Sequence, residues 1–290
     1  MKLPIHNRPF IGILAFLIVL FTMPLGHALM IMVEKLLGHA YQYYGAVLLG
    51  VLGTILLGVG AKSDKEAKAT WLGFFGAILV WTGWVEFAFV WSAHHVGVQP
   101  LVENGEIVTK PEYLIMPLSI GLLFSSMLYF LFNGTTRCNF FTWFRRRLKL
   151  KLPNANVEKK RNFAVITAME TIYIMWFFYI LLLIVYDKSI LGDQHPATYG
   201  VFVGSLTWSL YLFIRLIKFR KIAPAIRYAI PTVVIFWNAV EILGRWNFFY
   251  EIWIEPMNYV LEMALILMAF IVVSIAAMKT PKKIVDIDHF

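Results

Sequence analysis

Eight stretches of this chain each run for about 20 mostly apolar residues, the length an α-helix needs to cross the hydrocarbon core of a bilayer. They fall at Phe10–Val33, Tyr43–Ala61, Thr70–Ala93, Tyr113–Phe132, Phe163–Tyr186, Thr198–Ile217, Tyr228–Tyr250 and Tyr259–Met278. With 60% apolar residues and a mean hydropathy of +0.70, the composition lies well beyond the roughly 45–50% of soluble domains. In hydrocarbon each backbone N–H and C=O must find its partner inside the protein, which leaves helices as the solution for such runs. The expected fold class is therefore all-α integral membrane, with eight transmembrane helices. The first run is longer than the 7–15 residues of a signal-peptide core and ends in Met30-Ile31-Met32-Val33 instead of a cleavage site, so it reads as a retained helix.

The chain also echoes itself. A shift of about 155 positions carries Tyr44-Gly45 onto Tyr199-Gly200, Val85-Glu86 onto Val240-Glu241 and Trp91 onto Trp246. This predicts a tandem duplication: a four-helix repeat over 1–145, a basic connector over 146–161 and a second four-helix repeat over 162–290. Four spans per copy insert both copies the same way up, so the repeats are parallel and their pseudo-twofold axis runs along the membrane normal.

Charge gives the topology. The net charge of +9 comes from clusters at Lys2 and Arg8, at Lys62, Lys65 and Lys68, from Arg137 to Arg161, from Arg215 to Arg227, and at Lys279, Lys282 and Lys283. If the spans alternate, all of these fall on one side, with only Lys35, Lys110, Lys188 and Arg245 elsewhere. Short loops rich in Lys and Arg stay in the cytoplasm. Both termini are expected there, in a bacterial cytoplasmic (inner) membrane, with the lipid bilayer as the first partner and other membrane subunits or self-association as further ones. Nucleic acid is not expected, because the basic loops contain no recognition module. The single cysteine, Cys138, excludes an intramolecular disulfide and a thiolate metal cluster.

Ionisable residues inside a span are costly and point to function. Helix three carries Glu86 and helix seven the symmetry-related Glu241. Asn238 and Arg245 stand three before and four after Glu241, on the same helix face, which predicts an intrahelical Glu241–Arg245 ion pair. Glu86 has no such neighbour in its own sequence. Five histidines, His27, His39, His94, His95 and His195, fall near the non-cytoplasmic face, and Glu34 lies two turns beyond His27. Shifted by the repeat, His27 becomes Leu182, His94 Phe249 and His95 Tyr250, so only the first copy is armed. Imidazoles with a carboxylate suit Cu, Fe or Zn, and the candidate ligands are His27, His39, His94, His95 and Glu34. Interfacial histidines also occur simply as headgroup-tolerant residues. Trp84 and Trp91, with Asn238, could wall an apolar pocket; the alternative is an interfacial aromatic belt. Gly45, Gly50, Gly53 and Gly58 of helix two and Gly200 and Gly204 of helix six are expected to form tight seams, and Pro24, Pro117 and Pro231 to kink their helices.

The chain has no P-loop, GxGxxG, nucleophile elbow, EF-hand loop or HExxH. Its duplicated four-plus-four architecture resembles that of the NrfD-type quinone-interacting membrane subunits, and the likeness is one of architecture alone. The reading preferred from these residues is a membrane-embedded enzyme, metal-dependent or redox-active, acting on a small apolar, quinone or lipid-like substrate in the outer half of the first repeat. The alternatives are a secondary transporter using Glu86 and Glu241/Arg245, and a structural subunit of a larger membrane complex.

Overall fold

A computed structural model describes residues 8–278, apart from 104, 105, 134, 135, 137 and 151–160, and the side chains of 39, 103 and 106–108. Eight helices in it are long and apolar enough to cross a membrane: α1 (Phe10–Gly38), α2 (Ala40–Ala61), α3 (Glu66–Val96), α4 (Pro111–Phe132), α6 (Phe163–Tyr186), α7 (Pro196–Leu216), α8 (Ile222–Arg245) and α9 (Val260–Met278). A short helix, α5 (Asn139–Arg147), lies between the two sets of four. The chain is a polytopic, helical, membrane-type protein. The 94–112 loop, where the sequence pattern predicts no element, contains a small antiparallel hairpin of β1 (Leu101–Glu103) and β2 (Glu106–Thr109).

Helices α1 and α2 are longer than the hydropathy alone indicates, and nearly meet. They are separated at Gly38, whose φ of +66° breaks the helix at a residue without a Cβ. Pro24 and Pro231 are accommodated inside α1 and α8. Around Pro117, α4 tightens into a 3₁₀ turn over Met116–Ser119.

Four helices form an inner layer. In the most apolar stretch of α8, 67% of residues are buried, and in α3 50%, against 17% in each of α4, α7 and α9. Ile18 of α1, Phe74 of α3, Ile174 of α6 and Ile230 of α8 meet in one core. In the inner layer α1 runs against α8, where Phe16 and Phe236 stack edge to face, and α6 runs against α3, where Gly73 meets the Ala164 backbone. Outside it, α2 packs on α3 and α7 on α8, α4 leans on α6 and α9 on α1. Exchanging the first four spans for the last four turns each of these pairs into another.

In the first half of the chain the glycine seam holds at Gly50 and Gly53, which meet α3, whereas Gly45 faces Leu37 and Val33 of α1 and Gly58 has open space beside it. A Cβ on Gly53 would lie 2.7 Å from the Gly76 carbonyl oxygen, and one on Gly76 2.8 Å from that of Gly53, so α2 and α3 touch backbone to backbone. A Cβ on Gly200 or Gly204 would have nothing within 4 Å of it. On α7 the expected seam is absent, and this stretch of the helix faces outward.

Among the described residues the basic loops share one face, since α1 begins against the end of α7 at Gly12–Leu216 and Asn162, which caps α6, also donates to the Ala61 carbonyl at 3.2 Å. On this face the buried Arg227 of α8 reaches Glu66 and Thr70 of α3 and lies over the Phe163 ring. Arg145, the last residue of the predicted first repeat, just before the basic connector, is 1% exposed; its guanidinium donates to the Leu131 and Asn133 carbonyls and ties α5 to the end of α4. Most of that connector lies outside the described residues, as do His6 and His289.

Candidate functional site

The inner four helices do not close completely. Between them lies a cavity of about 1140 Å³ that begins among the loops opposite the basic face and descends to Phe74, Thr171 and Ile230. Its wall on α6 runs from Thr171 to Tyr186, about 22 Å at 1.5 Å per residue, most of the way through a bilayer core. The lower part is apolar, with Val19, Met23, Ile78, Met175 and Phe178. Higher up, the polar groups gather.

His27, Glu86, Asn238, Glu241 and Arg245 all line this one cavity. Residues from both halves of the chain therefore meet in a site that sequence patterning assigns to the first half alone. His27 Nε2, three residues past Pro24, stands 3.6 Å from Glu241 Oε1. The Trp237 indole donates to the same carboxylate at 2.6 Å. Glu86, 7% exposed, accepts from the Trp81 indole at 2.9 Å. Residues Trp81–Glu86 form a π-helical segment, whose i→i+5 bonding brings Trp81 over Glu86. Glu86 thus has a partner on its own helix, one that α-helical periodicity conceals.

Tyr179 of α6 occupies the middle of the site, with ring centroids 6.4 Å from His27, 6.3 Å from Trp81 and 5.9 Å from Tyr113. At the mouth, Lys110 sits 3.7 Å from Glu34 and 3.9 Å from Glu112. Arg245 forms a two-armed bond with Asp193 at 3.2 and 3.3 Å, a partner from the loop before α7 that helical spacing cannot reveal. The Glu251 carboxylate packs against Gly244, in the space that a Cβ there would occupy. Burial and the neighbouring Glu241 push its pKa up to about 7, with Arg245 opposing.

No protein family, curated protein or solved structure matches this chain. The site has to be read from its own chemistry.

The other sequence candidates lie apart from the cavity. His94 and His95 are exposed at the end of α3, and His95 stacks on the half-exposed Trp91 with centroids 4.9 Å apart. Trp84 points outward and covers Gly50 of α2. The side chain of His39 is outside the described residues. Among the described residues no three of His, Cys, Asp and Glu converge as metal ligands. Sequence patterning does not single out Tyr113, Tyr179 or Asp193, because tyrosines are common in membrane helices and Asp193 lies in a loop. Glu170 carries a signal that the candidate set above lacks, as a carboxylate two turns inside the fifth span.

Proposed function

We propose that this chain is a membrane-embedded enzyme that performs acid–base chemistry on an apolar or amphiphilic substrate held between two tandem four-helix repeats. The observation that carries the reading is the His27–Glu241 pair, 3.6 Å apart on the wall of a cavity that also contains Glu86. Imidazole and carboxylate within reach of one another, in low dielectric, form a proton-transferring couple. His27 Nε2 takes or gives the proton, Glu241 stabilises the imidazolium, and Trp237 fixes the carboxylate. Glu86, held by Trp81, is the second carboxylate. The apolar lower cavity suits a lipid-like or quinone-like body, and the charged mouth a polar end. Of the histidines with described side chains that are candidate metal ligands, His27 alone lines the cavity, so the reading is built on proton transfer.

The preservation of the helix pairs when the first four spans are exchanged for the last four supports tandem duplication, and the shared basic face supports cytoplasmic termini. On this reading His27 breaks the symmetry: its counterpart Leu182 also lines the cavity, as an apolar wall. A second reading, a proton-coupled transporter, is favoured by one observation, that both halves contribute a glutamate, Glu86 and Glu241, to one cavity.

The test is to incubate purified protein with a total membrane-lipid extract and to compare products by untargeted mass spectrometry with those of Glu241→Gln and His27→Leu. New masses made by the wild type and absent with both variants are expected. A compound bound but unchanged would shift the case to transport. The absence of both turnover and a bound compound would overturn the proposal.

A further inference from the structure

Among the described lysines and arginines, four lie away from the basic face: Lys35 near the end of α1, Lys110 just before α4, Lys188 just after α6 and Arg245 at the end of α8. All four line the cavity. Lys and Arg in or beside short loops hold a membrane chain in its orientation, whereas Asp and Glu contribute little to it. A cation on the far face therefore works against insertion, and four of them around one opening call for a use. The carboxylates there need no such account. Hydrogen bonding points the same way. Asp193 accepts from Arg245, Asp187 from Ser189 and Glu255 from Asn258, so these acceptors are engaged within the protein. Two of the cations are not engaged in this way. Lys110 stands 3.7 Å from Glu34 and 3.9 Å from Glu112, near enough for charge attraction and too far for a hydrogen bond. Lys35 has no ion pair or side-chain hydrogen bond among the described residues.

We propose that the mouth of the cavity is a phosphate site, and that the molecule held below it is a phosphate-headed lipid. Lys35 and Lys110 come to the opening from different elements, each with the three N–H donors of an ammonium group. A phosphate head has three acceptor oxygens to divide between them, where a carboxylate has two. Lysine is a common phosphate ligand, and basic pockets between membrane helices take lipid head groups. The head lies among the loops, and its chain runs down past His27 along the apolar wall of Val19, Met23 and Ile78. Charge at this position discriminates between substrates. A quinone or a neutral glyceride fills the lower cavity as well and leaves both lysines without an acceptor. This inference rests on the reading of the cavity as the site of an amphiphile and narrows it to one head-group chemistry.

A matched pair of lipids tests it. Dioleoyl phosphatidic acid and dioleoylglycerol differ only in the phosphate, and each is titrated into the full chain in non-ionic detergent and followed by native mass spectrometry. The wild type is expected to bind phosphatidic acid at least about tenfold more tightly. The double variant Lys35→Gln/Lys110→Gln is expected to lose that preference while its binding of dioleoylglycerol is unchanged. Lys62→Gln/Lys65→Gln, on the basic face, is expected to keep it. Equal binding of the two lipids by the wild type overturns the phosphate site and leaves the amphiphile reading standing. A preference that survives in the first double variant, or disappears in the second, also overturns it, because the head is then bound elsewhere. Displacement of phosphatidic acid by inorganic phosphate at the same concentration makes the ligand a free anion and overturns the lipid assignment. Binding of neither lipid removes this inference and the amphiphile reading together. Size-exclusion profiles of the variants establish that each is folded.

Discussion

The Trp81 indole donates to Glu86 across five residues, and the Trp237 indole donates to Glu241 across four. The difference of one is the extra residue of the π-helical segment Trp81–Glu86. The same tryptophan–carboxylate bond is therefore built in both halves, by an α-turn in one and a π-turn in the other. Each bond holds a carboxylate that would otherwise be left without its indole donor in low dielectric. Hydrogen bonds to charged groups contribute about 1.5–3 kcal/mol, and removing a donor leaves its partner wanting. Trp81→Phe and Trp237→Phe are each expected to lower stability by about 1–3 kcal/mol, measured by denaturant unfolding in detergent. Wild-type midpoints in both variants would show that the carboxylates find other donors.

The His27–Glu241 contact joins the two halves of the chain, so it couples α1 to α8. A double-mutant cycle with His27→Leu, the residue found 155 positions on at Leu182, and Glu241→Gln isolates the pair. An interaction energy of about 0.5–3 kcal/mol is expected, since contacting residues are seldom additive. Additivity within about 0.3 kcal/mol would mean the two side chains act independently.

Much of this arrangement was legible in the sequence. Run length and composition give the eight spans, and the cost of a buried charge singles out Glu86, Glu241 and Arg245. What stayed hidden depends on geometry between helices. The meeting of His27 with Glu241 joins positions 27 and 241, and no periodicity links them. The Asp193 partner of Arg245 comes from a loop. The Trp81–Glu86 bond requires a π-turn, and a helical wheel drawn at 3.6 residues per turn sets the two apart. The outward position of His94 and His95 follows from where α3 ends, since Gly97 with φ of +75° closes the helix just beyond them. Composition near that face cannot distinguish a site from an aromatic rim.

The two glycine groups make opposite predictions. Gly53→Val forces apart the α2 and α3 backbones, which meet at Gly76, and is expected to cost several kcal/mol, on the order of an overpacked core. Gly200→Ala and Gly204→Ala meet open space and improve helix propensity by about 0.5–1 kcal/mol each. Thermal unfolding in detergent should rank Gly53→Val far below wild type and the α7 variants at or above it. Destabilisation by the α7 variants would indicate that this face is covered by a partner in the assembled protein.

Glu251 should make the cavity mouth sensitive to pH. Its carboxyl titrates at about 7 in the folded chain, raised from 4.5 by burial and by Glu241. The folded state thus holds its proton more tightly than the unfolded chain does. Between about pH 4.5 and 7 the native state binds more protons than the unfolded one, so by linkage this group's contribution to stability falls as pH rises and levels off above about 7. Glu251→Gln stays neutral throughout and fits the same space against Gly244. The variant is expected to lose that part of the pH dependence and to match or exceed wild-type stability near pH 8, where the wild-type carboxylate is charged and half-buried beside Glu241. Melting temperatures of both proteins across this range provide the measurement. Parallel curves would place Glu251 in contact with water and remove it from the electrostatics of the site.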